Sequence, residues 1–140
     1  MLDTTYEDTW NTREERLREL GMSYKEFLLS DMWREVKLKA KSRKNYQTCE
    51  FCDCSEVDLH HSSYKWLGTK DELRTVYACC RYHHELIHRM AKELNISVRL
   101  STNYFRNHKN KFRNKKIISL ADITQEKLQK YLHVFNKGGT

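Results

Sequence analysis

Two short clusters hold every cysteine of this chain and most of its histidines: CEFCDCSEVDLHH, from Cys49 to His61, and CCRYHHELIH, from Cys79 to His88. Cys49-x-x-Cys52 sets two thiolates on one tight turn, the knuckle that grips a zinc ion. Cys80-Arg-Tyr-His83 repeats the two-residue gap at the mouth of a predicted helix, with an imidazole as its second donor. Cys49, Cys52, Cys80 and His83 make a Cys3His set, which fills all four positions of structural zinc. Such a staple supplies folding energy where the middle of the chain has little core. Cys54 and Cys79 are spare thiols close by, and either can replace a member of the set. The strand and helix context of a redox Cys-x-x-Cys is missing, which disfavours disulfide chemistry.

The remaining histidines suggest a second site of a different kind. His84 and His88 are four apart on the predicted helix and share a face. His60 and His61 are neighbours on a predicted strand, so they point to opposite faces. One can hold an ion while the other meets substrate. Three imidazoles, His60, His84 and His88, leave coordination positions open, and an open position marks a catalytic metal. The remaining histidine, His61, can accept a proton from attacking water near neutral pH. His84-Glu-Leu-Ile-His88 is also a literal H-E-x-x-H, in which Glu85 would be the base of a zinc protease. A protease leaves His60, His61 and the cysteines without a role. Ala91 and Leu94 also stand where the extended protease signature needs glycine and histidine.

The elements that must position these groups follow from period and punctuation. Val57–His61 and Thr75–Ala78 read as short strands joined by a loop that turns at Gly68, and Arg81–Leu94 reads as a helix with Leu86, Met90 and Leu94 on one face. Upstream, Thr12–Glu15 has the form of a capping box and Gly21 that of a stop. A second box at Ser23–Glu26 opens a helix to about Lys41, with Leu28, Met32, Trp33, Val36 and Ala40 as its stripe. Asp122–Gln125 can cap a last helix carrying Leu128, Leu132 and Phe135. The expected organisation is a helical N-terminal arm over 1–45, a metal-bearing core over 46–95, and a basic segment with a C-terminal helix over 96–140. Together they form one compact α+β domain.

The formal charge is +7, and its distribution is uneven. No acid occurs between Leu94 and Ala121, and a second basic run covers Lys37–Lys44. Such segments neutralise phosphates and release counterions, which makes nucleic acid the natural partner. Arg106, Lys109, Lys111, Arg113, Lys115 and Lys116 are the expected phosphate contacts, with Tyr104, Phe105 and Phe112 interleaved among them. No apolar run has the length of a membrane span. The N-terminus lacks the pattern of a secretory signal. A reducing cytoplasm is the expected compartment. A zinc module that binds nucleic acid without cutting it would use the cysteines and the charge but would not need four placed histidines.

The frame SDMWREVKLKAKSRKNYQTCEFC, then VDLHHSSYKWLGTKDELRTVYACCRYHHELIH, closely resembles the HNH nucleases of the ββα-metal fold. It is most similar to the zinc-stapled group that carries Cys-x-x-Cys, HH-x-x-Y and a closing C-x-x-C-H-x-x-x-H. The resemblance covers about residues 30–92. It implies a small ββα-metal core stapled by structural zinc, flanked by N-terminal and C-terminal helices. The implied activity is a metal-dependent DNA endonuclease. His60, His84 and His88 would hold a catalytic divalent ion (magnesium, manganese, nickel or zinc), and His61 would be the general base. The ion would polarise the scissile phosphate. Asp58, on the strand face of His60, would orient a ligand. Double-stranded DNA is the implied partner, alongside a homodimer or a partner protein, in a prokaryotic or phage-infected cell. Two departures stand out. The closing Cys-x-x-Cys is Cys-x-x-His, and Thr75 occupies the place of the Asn or Asp that pins the loop behind the general base.

Overall fold

The computed structural model describes residues 3–109. The expected helix carrying Leu128, Leu132 and Phe135, and the phosphate contacts Lys111, Arg113, Lys115 and Lys116, lie outside the described residues. The order is α1 (Tyr6–Leu20), α2 (Tyr24–Leu28), α3 (Asp31–Lys41), a 3-10 turn, β1 (Asp58–His61), a second 3-10 turn (Glu72–Thr75), β2 (Val76–Cys79), α4 (Arg81–Leu94) and α5 (Val98–Asn107). It is an α+β arrangement around one two-stranded antiparallel sheet, in which Asp58 faces Cys79 and His61 faces Val76. Both strands begin one residue later than their sequence pattern predicts, and β2 ends one later too. The α4 boundaries are those predicted.

The N-terminal helices depart further from expectation. α1 starts at Tyr6, capped by Thr5 and Asp8 in a reciprocal box, so Thr12 is an interior residue that donates to the Asp8 carbonyl. Gly21 does end α1, in the left-handed conformation at φ 70°. The single helix predicted from Ser23 to Lys41 is two. Ser23 caps α2, then Ser30 accepts from the Trp33 N–H and opens α3. A serine that offers its side chain to the backbone competes with helix continuation, and the chain turns at that point.

Two cores meet at the hairpin. On one side Phe51, Tyr77, Ile87, Met90, Leu100 and Phe105 pack α4 and α5 against β2 and the cysteine knuckle. On the other, Leu17, Phe27, Trp33, Val36, Leu67 and Val76 bring α1, α2 and α3 onto the sheet and the loop. Tyr104 and Phe105 are core residues here. α5 is tied back to the N-terminus by the Arg99–Asp3 ion pair at 2.9 Å and by the Val98 N–H on Thr9 Oγ1. Arg16 on α1 donates from two nitrogens to the Leu67 carbonyl, at 3.1 and 3.0 Å. Gly68 follows at φ 77°, where an added Cβ would sit 2.6 Å from Leu20 Cδ1. The positive φ favours glycine there, and the Leu20 methyls would have to shift to admit a Cβ. No helix among the described residues is long and apolar enough to cross a membrane.

Candidate functional site

The knuckle forms as its spacing demands. The Cys49 N–H donates to the Cys54 carbonyl at 2.8 Å, closing the turn, and the Phe51 N–H points at Cys49 Sγ at 3.4 Å. The Glu50 N–H pairs with the Ala78 carbonyl, which lays the turn beside β2. From the other side, Cys80 is the N-cap of α4, and His83 lies in the first turn. The four ligand atoms of Cys49, Cys52, Cys80 and His83 all fall within 4.8 Å of one another. Cys52 and Cys80 sulfurs are 3.9 Å apart, and His83 Nδ1 lies 3.3 Å from Cys80 Sγ and 3.9 Å from Cys49 Sγ. Tetrahedral zinc with ordinary bond lengths needs edges of about 3.8 Å between sulfurs and about 3.6 Å from sulfur to nitrogen. The donor set fits a zinc ion.

Neither spare thiol joins that group. Cys54 is partly exposed and turns toward the Glu56 carbonyl, whereas Cys79 is fully buried behind the set. The Cys79 thiol donates to the Cys80 carbonyl at 3.3 Å and lies beside the Cys49 sulfur. That contact, more than the one from His83, holds Cys49 well below the usual thiol range and Cys79 above it. Burial raises Cys52 to about 11. The neighbours thus favour the thiolate at Cys49 and the neutral thiol at Cys79.

On the α4 side of the hairpin, His60 and His84 stack with ring centroids 3.6 Å apart and 16° between planes, and His88 follows at 4.3 Å from His84. Trp10 of α1 stacks on His88 at 6.0 Å and closes the row. Burial holds all three imidazoles down, to about 4, with the charges of neighbouring histidines adding to it. Each ring is therefore neutral at neutral pH, with one nitrogen bearing a hydrogen and the other free to act as a ligand. Ring orientation is another matter. An ion binds in the plane of an imidazole, and two nearly parallel planes 3.6 Å apart share no nearby point. Among the described residues the Cys3His set is the one whose ligand atoms converge. Side-chain rotation in His60 or His84 is needed before these rings can grip one ion.

His61 is more enclosed than its expected role suggests. It does point to the opposite face from His60, but that face is covered. Its side chain is 2 % exposed, lies on Trp33 and Tyr64, and donates from Nε2 to Glu72 Oε2 at 2.7 Å. Glu72, absent from the sequence reading, is itself buried and also accepts the Gly68 N–H at 2.9 Å. It ties β1 to the loop. Thr75 completes that tie through its backbone: its carbonyl accepts the Ser62 N–H at 2.7 Å, while its hydroxyl donates to the Glu72 carbonyl. The pinning expected of an Asn or Asp side chain at position 75 is divided between Glu72 and the Thr75 backbone.

The other expected residues separate. Asp58 is exposed, and its charge acts on His84. Glu85 faces solvent and pairs with Arg81 at 3.2 Å, which leaves the H-E-x-x-H pattern without its base. Arg106, expected on phosphate, pairs with Glu50 at 2.6 Å and lies over the Tyr77 ring, locking α5 to the knuckle. Lys109 is exposed. Trp10 is the second residue that sequence reasoning missed. Its position on a polar helix gave no sign that it would reach His88. A scan against protein-family models, a search of curated proteins and a search of solved structures each return no match.

Proposed function

We propose that the chain is a zinc-stapled, metal-dependent DNA endonuclease of the ββα-metal type. One observation carries the proposal. The hairpin register and the four-residue spacing on α4 gather His60, His84 and His88 into one row of neutral imidazoles, next to a separate, closed Cys3His set. Structural and open donor sets side by side are what a stapled catalytic fold requires. The three imidazoles would hold a divalent ion, which supplies Lewis-acid polarisation of a phosphodiester and acidifies bound water. Trp10 restricts the rotation of His88, and Asp58 adds negative charge near His84. His61 and Glu72 serve by fixing the loop, and no proton transfer is assigned to His61. Supercoiled plasmid incubated with the protein and magnesium, manganese or nickel should be nicked, and His84→Ala should abolish nicking while leaving the fold intact. Equal nicking by that variant rejects the proposal.

A second function, a non-catalytic zinc module that binds nucleic acid, is favoured by the parallel stacking of His60 on His84 and by the enclosure of His61. It predicts salt-sensitive DNA binding with no cutting in any metal.

A further inference from the structure

Between Val36 and Cys49 the chain carries no acid, while Lys37, Lys39, Lys41, Arg43 and Lys44 fall there. All five are exposed, and none pairs with a carboxylate among the described residues. The fold spreads them to two sides. Trp33, Val36 and Ala40 turn inward, so α3 stands as a ridge with a cavity along each side. Lys37 and Lys41 line one cavity, of about 420 Å³, together with Tyr46 and the start of β1. Lys39 and Arg43 line the other, of about 630 Å³, against the loop from Gly68 to Arg74. Lys70 and Arg74 of that loop outnumber its partly exposed acid Asp71, and Glu35 of α3 lies at the same wall. On the crest between them stands Leu38, 60 % exposed.

We propose that α3 is the docking ridge for a nucleic-acid duplex, entering its major groove with one phosphate backbone along each side. A helix with its side chains is about 10–12 Å across, and the major groove of B-form DNA is about 12 Å wide. Lys37 and Lys41, one turn apart on α3, meet successive phosphates of one strand. Lys39 and Arg43, the latter just past the helix end, meet the other, and an apolar crest meets base edges. An acidic protein surface would have no use for two separated cationic sides, and a single strand would engage only one. Trp33 packs this helix on the His61 face of the hairpin, away from His60, His84 and His88. The ridge therefore holds DNA and takes no part in chemistry. The inference rests only on the nucleic-acid half of the proposed function, and stands whether or not the chain cuts.

The test uses full-length protein purified with zinc, carrying His84→Ala so that DNA stays intact, and a short fluorescent duplex titrated at several salt concentrations. Lys37→Gln with Lys41→Gln, and separately Lys39→Gln with Arg43→Gln, should each weaken binding about tenfold. Each pair should also make the log–log salt slope shallower by about two. Leu38→Glu, at an exposed position, should weaken duplex binding as strongly with unchanged thermal stability. No duplex binding by the parent, unchanged affinity in both paired variants, or loss in only one of them overturns the proposal. If the parent with His84 restored binds DNA but cuts in no metal, the endonuclease proposal fails and the docking ridge stands.

Discussion

At the scale of single residues, the Cys3His set and the imidazole row differ in how much the chain has prepared them. Cys49 is already held toward thiolate by the Cys79 thiol and by His83, so Cys49→Ser should lose bound zinc and cooperative unfolding together. Cys54→Ser should keep the zinc and change the melt little, because that sulfur lies outside the Cys3His set, partly exposed at the edge of the core and turned to a carbonyl; zinc content and a thermal melt check both. Glu72 is enclosed at 1 % exposure with His61 and the Gly68 N–H on its two oxygens. Replacing it by alanine should cost about 3 kcal/mol, and by glutamine about 1 kcal/mol, in denaturant unfolding. The imidazole row gives a pH signature. His60, His84 and His88 are lowered to about 4 from an ordinary 6.5. Between those values the unfolded chain binds protons that the folded chain does not. Stability should be full above about pH 6.5 and fall as pH drops toward 4. Urea midpoints measured from pH 7.5 to 4.5 should trace that fall, and substituting the three histidines should flatten it.

At the scale of elements, what the sequence made legible is what spacing encodes locally. α4 is bounded as its period predicts, since cysteines, histidines and the Leu86–Met90 face all repeat at helical spacing. The Cys3His set was readable because both of its halves are three-residue steps. Pairings set by the path of the chain were not readable. Glu72 meets His61 across the loop, Arg106 meets Glu50 over 56 positions, and Trp10 reaches His88 from another helix. Residue type alone gave no partner for any of them, and so His61 was expected in the open and Arg106 on phosphate. The break between α2 and α3 was missed for a different reason. The apolar stripe continues through it, and only the competing Ser30 side chain ends the run. Ser30→Ala should cost about 1 kcal/mol. Gly68→Ala should cost more, because a φ of 77° strains any residue with a Cβ. Denaturant midpoints of the two variants give that order directly.

At the scale of the molecule, the hairpin divides two tasks. Its α4 face carries the zinc set and the imidazole row. Its α3 face is packed with aromatic groups and presents a cationic ridge outward. The Cys3His set joins the knuckle to α4 and fits a structural ion, so a chelator should unfold the core over Phe51, Tyr77 and Ile87, with loss of near-ultraviolet dichroism. The most direct measurement for the central claim is the number of cobalt(II) ions bound per chain, read with the optical spectrum of each. Parent protein should take up about two, the first with thiolate charge-transfer bands and the second without, and a variant with His84→Ala and His88→Ala should keep about one, with the thiolate bands intact. A parent that stops at one thiolate-bound ion, with the histidine variant indistinguishable from it, would contradict a second metal site.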